Sequence, residues 1–71
     1  MIKASIIFDK NKLSKKIKSY LIKNIKIFSI KKCNLIIVVG GDGFMLQTLK
    51  KYQKYNKPFY GMNTGTFGFF L

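Results

Sequence analysis

Histidine and arginine are both absent from these 71 residues, and cysteine occurs once, at Cys33. A lone cysteine cannot close an internal disulfide, and without histidine the usual partners of a zinc thiolate are missing. Disulfide scaffolds and zinc modules are therefore excluded, and Cys33 reads as a structural residue. Acidic residues are scarce: two Asp against 14 Lys leave a formal net charge of +12. Such a surface attracts polyanions unselectively but lacks the guanidinium fork that reads guanine edges, so no specific nucleic-acid partner is expected. Long apolar runs are missing as well. The amino-terminal run in IKASIIF is too short for a signal-peptide core, and nothing approaches the ~18 apolar residues of a membrane span. The expectation is a cytoplasmic protein with no membrane partner.

What is present suffices for a small core. Hydrophobic residues make up 48% of the chain, which argues against disorder despite the charge. A chain this short hides only about 60% of its unfolded surface, so a single domain with a thin core is expected.

The most informative stretch is LIIVVGGDGFML, residues 35–46. Its first five residues, four of them β-branched, suit a strand buried on both faces of a parallel sheet. Gly40, Gly41 and Gly43 then offer a tight turn, with backbone angles closed to other residues and no side chains between main chain and ligand. Helical spacing follows from Phe44 to about Tyr55, with Met45, Leu46, Leu49 and Tyr52 on one side and Lys50, Lys51 and Lys54 toward the carboxyl end. Strand, glycine turn and helix place a candidate site at the carboxyl end of a strand, where helix N–H groups favour anions. Asp42 argues against a bare phosphate there. It needs a hydroxyl proton to accept, a ribose to hold or a metal to share; alternatively, it is only a helix N-cap. Neither a Walker loop nor a complete G-x-G-x-x-G fingerprint is present.

Around this centre, residues 2–8 read as a first strand. A helix follows with Asn11 as its cap, Leu13, Ile17, Tyr20, Leu21 and Asn24 on its inner face, and lysines mostly outside as a solvated surface. Residues 25–30 alternate as a half-buried strand near a sheet edge. The link to residue 35 is too short for a crossover helix, so this segment cannot be the central strand's immediate parallel partner; it is a short edge element or pairs elsewhere. Asn56, Lys57 and Pro58 form a turn, and residues 59–62 a further strand that completes a βαβ unit. The sequence then ends GMNTGTFGFFL, a second glycine-rich loop with hydrogen-bonding side chains at Asn63, Thr64 and Thr66 and aromatic residues unsuited to a solvated tail.

The two glycine stretches together resemble the NAD kinase family. Its members run an apolar strand into GGDG, matched by Gly40 to Gly43, and a later strand into G-x-N-x-G-x-x-G-F-L, matched at Gly61, Asn63, Gly65, Gly68 and Phe69. GGDG is shared with lipid kinases and phosphofructokinases, but NTGTFGF lacks the closing Asn-Asp pair that lipid kinases tend to carry. The resemblance implies an α/β fold, the amino-terminal part of an open, Rossmann-like parallel-sheet domain. It implies phosphoryl transfer from ATP, or polyphosphate, to the 2′-hydroxyl of the adenosine ribose of NAD, with a divalent metal ion such as Mg2+. Asp42 would be the proton acceptor. Gly41, Gly43, Asn63 and Gly65 would line the nucleotide site, with Phe69 near the adenine or simply packed in the core.

Two departures accompany this likeness. Phe44 stands where many members have a small or polar residue. Members also have a second, mostly β domain that completes the NAD site, so residues 1–71 are expected to form an incomplete amino-terminal nucleotide-binding domain, inactive alone, of a protein that is a homo-oligomer when full length. The alternatives are a non-catalytic nucleotide-binding module, or a lipid-kinase-like GGDG protein.

Overall fold

The computed structural model describes residues 2–64. Three strands, β1 (Ala4–Phe8), β2 (Leu35–Gly40) and β3 (Phe59–Asn63), form one sheet in the order β1-β2-β3, with both pairings parallel. Two helices, α1 (Lys12–Asn24) and α2 (Asp42–Tyr52), connect the elements, and a short 3₁₀ turn, Gln53–Tyr55, follows α2. The fold is the α/β class expected of the sequence.

β2 is the middle strand, and its alternation builds two cores. On one face Ile36 and Val38 pack with Met45 and Cys33, bordered by Ile7, Phe28, Phe44, Tyr52 and Phe59. On the other, Ile37 and Val39 pack with Ala4, bordered by Ile6, Phe8, Ile17, Leu21 and Met62. Side chains alternate across a strand, so α1 and α2 cover opposite faces of the sheet. The unbroken apolar run of residues 35–39 follows directly, because neither face of β2 meets water.

Residues 25–30 do not form the expected strand. Only Ile27 pairs, in a single parallel bridge to Ala4, supported by a 2.8 Å hydrogen bond from the Phe28 N–H to the Ala4 carbonyl. Ala4 is already the ladder partner of Leu35, so Ile27 lies on the opposite edge of β1. The short link was correctly incompatible with a parallel partner of β2, and the segment pairs elsewhere, on β1; the alternation overstated that pairing, since Ile27 is itself 38% exposed and makes a single bridge. Its return to β2 is pinned by Lys57, whose Nζ donates to the carbonyls of Ile30 and, at 2.9 Å, Lys31.

This detail fixes the topology. From β1 the chain moves outward through α1 to Ile27, then doubles back to β2 and advances the other way through α2 to β3. Opposite directions on opposite faces give both crossovers the same hand. The strand order thus reverses between β1 and β2, whose carboxyl ends form a topological switch point.

Helix boundaries and faces also differ from expectation. α2 begins at Asp42, two residues before Phe44, and ends at Tyr52. Packing of Phe44 and Met45 on β2 outweighs the ~1 kcal/mol that Gly43 costs in a helix. Its buried residues are Met45 and Thr48, whose hydroxyl donates to the Phe44 carbonyl at 2.8 Å, whereas Leu46 faces outward. In α1 the inner face is Ser14, Ile17 and Leu21, while Leu13, Tyr20 and Asn24 are exposed. One lysine of α1 turns back: the Lys18 ammonium lies 4.9 Å from the centroid of the Phe8 ring. Among the described residues no helix is long and apolar enough to cross a membrane.

At the end of β2 a Cβ on Gly40 would lie 2.5 Å from Phe44 Cδ2 and 3.2 Å from Asp9 Cβ, whereas one on Gly41 would meet nothing within 4 Å. Gly40→Ala is therefore expected to lower the free energy of unfolding by ~1–3 kcal/mol through overpacking, and Gly41→Ala by less than ~1 kcal/mol. Urea unfolding followed by circular dichroism checks both; equal effects of the two substitutions would contradict this division.

Candidate functional site

The candidate site lies where the chain leaves the carboxyl ends of all three strands. Both ladders run one residue past the strands: the Asp9 N–H donates to the Val39 carbonyl at 2.8 Å, and the Thr64 N–H to the Gly40 carbonyl at 2.9 Å. Asp9 and Thr64 therefore flank the start of the GGDG turn. Both acidic residues of a chain carrying 14 lysines, Asp9 and Asp42, stand at this edge. Asp9 turns its Oδ1 to its neighbour, accepting from the Lys10 N–H at 2.7 Å.

Asp42 is the first residue of α2. The N-cap is Gly41, with φ −82° and ψ −178° and no side-chain capping bond, so the alternative role of Asp42 as cap does not hold. Its side chain is exposed and instead accepts a hydrogen bond at Oδ1 from Asn63 Nδ2. Asn63 is only 7% exposed, at the end of β3 and opposite Gly40 in the ladder. Two candidate residues 21 positions apart are thus joined directly.

The glycines divide into two kinds. None of those in the described residues has positive φ, so this turn does not use backbone angles reserved for glycine, contrary to expectation. Gly40 is needed for close packing of Phe44 and Asp9. Gly41 and Gly43 face open space: a Cβ on either meets nothing within 4 Å. No described side chain crowds the main chain on either side of Asp42. Gly65 and Phe69, the remaining predicted site residues, lie outside the described residues.

A second set of contacts contains the expected cap, and its bonds to Thr64 were not foreseen. Asn11 caps α1 by accepting the Ser14 N–H at Oδ1, 2.8 Å away, and its Nδ2 lies 3.4 Å from Thr64 Oγ1. Ser14, fully buried, places its Oγ 3.3 Å from the same Thr64 oxygen. Sequence periodicity put Leu13 inside and ignored Ser14, because a serine on the inner face gains its place only from a partner 50 residues away. The sole local signal was Asn11, which has the right residue type for a cap.

Comparison with known proteins agrees with this fold. The family model for the ATP-NAD kinase N-terminal domain matches residues 3–70. The chain belongs to the NAD kinase family. It is 35% identical over 69 residues to an NAD kinase of Rickettsia prowazekii, covering 97% of this chain and 27% of that relative. Over 37 residues it is 57% identical to an NAD kinase of Cereibacter sphaeroides, covering 52% of this chain and 15% of the relative. An NAD kinase of Xylella fastidiosa is 46% identical over 43 residues, 61% of this chain and 17% of the relative. The chain thus spans about a quarter or less of the length of these relatives.

Asn11→Ala is expected to remove the cap and lower stability by ~1 kcal/mol, a fall of roughly 4–8 °C in melting temperature for a domain of this size. Asn11→Asp, which keeps a capping oxygen, should melt within a few degrees of the parent. Differential scanning calorimetry distinguishes them; an Asn11→Ala protein as stable as the parent would show that the cap contributes nothing.

Proposed function

We propose that these residues supply the base-bearing side of an NAD kinase site, in a protein that transfers a phosphoryl group from ATP, or polyphosphate, to the adenosine ribose 2′-hydroxyl of NAD. The observation that carries this reading is the Asp42 carboxylate, exposed between two open glycines and held by buried Asn63.

The chemistry follows from the donor set. With Oδ1 held by Asn63, Oδ2 is directed to accept from a hydroxyl. A ribose approaching the bare backbone of Gly41 and Gly43 brings its 2′-hydroxyl within reach, and the carboxylate takes that proton as the oxygen forms its bond to phosphorus and the leaving phosphate departs. Asn63 fixes the orientation of the carboxylate, and orientation is the larger part of what the protein contributes to phosphoryl transfer.

The proposed divalent ion needs separate treatment. Among the described residues no three His, Cys, Asp or Glu side chains gather into a metal site, so these residues do not build a cage for it. Magnesium is commonly held by one or two carboxylates together with substrate phosphates; in this reading it would arrive with the triphosphate, and no step here is assigned to it.

The second reading is a nucleotide-binding module without turnover. The gene product carrying these residues is expected to convert NAD to NADP. Asp42→Asn should lower that rate by ~10²–10⁴-fold, the usual contribution of a general base, while leaving NAD binding within a few-fold. Retention of the rate would remove Asp42 from this role; NAD binding without any turnover in the parent would favour the second reading.

A further inference from the structure

We propose that Thr64 is a positioning residue, which fixes the rotation of the end of β3 and through it the Asn63 side chain that holds the Asp42 carboxylate. For its catalytic consequence, though not for its structural content, this rests on the NAD kinase reading above.

The geometry has two halves. Successive residues of an extended chain point to opposite faces. Asn63 turns to the α2 face and bonds Asp42 in the first turn of α2. Thr64 turns to the α1 face, where its Oγ1 lies 3.3 Å from Ser14 Oγ and 3.4 Å from Asn11 Nδ2, both at the start of α1. The backbone between them is tied to β2 by the 2.9 Å bond from the Thr64 N–H to the Gly40 carbonyl. The last residues of β3 are thus clamped from both faces by the amino-terminal turns of the two helices. Rotation of the strand end about its own axis would break both side-chain attachments together.

Burial identifies which partner matters. Ser14 has no exposed surface, so its hydroxyl cannot exchange Thr64 for bulk water, and the pair has a cost of separation that a surface pair would lack. Asn11 contributes twice, since one amide oxygen caps α1 while the amide nitrogen reaches Thr64. One residue thus both fixes the first turn of α1 and reaches the end of β3. A β-branched residue at 64 restricts χ1 and keeps the hydroxyl aimed at this pair.

Three variants of the full gene product test this: Thr64→Val, which preserves shape and removes the hydroxyl; Thr64→Ser, which restores the hydroxyl; and Ser14→Ala, which removes the buried partner. The readouts are the nuclear magnetic resonance signals of the Asn63 side-chain amide, amide exchange at Thr64, and the rate at which NAD is converted to NADP. Thr64→Val and Ser14→Ala are each expected to shift the Asn63 signals, speed exchange at Thr64 and lower that rate about 5-fold, the effect of roughly one neutral hydrogen bond. Thr64→Ser should restore all three. Unchanged Asn63 signals in both Thr64→Val and Ser14→Ala would overturn the proposal. So would altered signals accompanied by the parental rate. A parent that converts no NAD, with Asn63 loosened in Thr64→Val, would uphold the clamp and refute the NAD kinase reading instead.

Discussion

Everything in this small domain depends on one strand having no exposed face. β2 buries Ile36 and Val38 toward α2 and Ile37 and Val39 toward α1, and each core is too thin to stand without the other. A chain of this size rarely stabilises a three-layer arrangement. Here the layers share β2 as their common element, so every apolar residue of that strand serves a core. Most of the lysines are then left to the surface, where they keep a strongly basic protein hydrated, while Lys57 turns its ammonium inward onto the carbonyls of Ile30 and Lys31.

Burial on both faces dictates where a ligand can go. With both faces covered, the carboxyl edge is where main-chain groups at the ends of the strands and the beginnings of the helices meet open space, and the reversal of strand order between β1 and β2 separates the two helices there. The GGDG turn occupies that edge. Gly40 lets Phe44 and Asp9 close over the end of β2, while Gly41 and Gly43 leave the backbone beside Asp42 uncovered. One short motif therefore carries two unrelated constraints, dense packing behind the turn and free approach in front of it.

The parts of this arrangement visible in the sequence were those set by local chemistry. The unbroken Ile and Val run announced β2, Asn11 announced the cap of α1, and Asn56 and Pro58 announced the turn before β3, where Asn56 adopts φ 53°. Residues whose placement depends on distant partners were not visible. Ser14 is inside because Thr64 receives it, which rotates α1 enough to expose Leu13 and Tyr20. Residues 25–30 alternated like a strand, yet only Ile27 found a partner, since alternation records which side chains tolerate burial and not whether a neighbouring edge is long enough to pair with. At the site, Asp42 and Asn63 were legible as members of two motifs, but their hydrogen bond follows from β3 lying next to β2, which no local pattern encodes.

The single bridge at Ile27 also explains how so short a chain completes a switch point. A doubly wound sheet ordinarily places a full strand and a second helix on the outer side of β1, at a cost of a dozen or more residues for the crossover. Here residues 28–34 replace that helix, with Phe28, Ile30 and Cys33 filling the α2 face beside β2 and Lys57 holding the carbonyls of Ile30 and Lys31. An ammonium suits this task better than an apolar residue would. The tight return leaves carbonyls pointing inward without strand partners, and three donors on a flexible stem can satisfy them where regular secondary structure cannot. The outer strand can be reduced to one residue because its contribution to the site is topological: it makes α1 cross one face before the chain returns to the other. The two helix amino termini thereby reach the end of β3 from opposite sides, which is the arrangement that lets Asn63 and Thr64 be held at the same time.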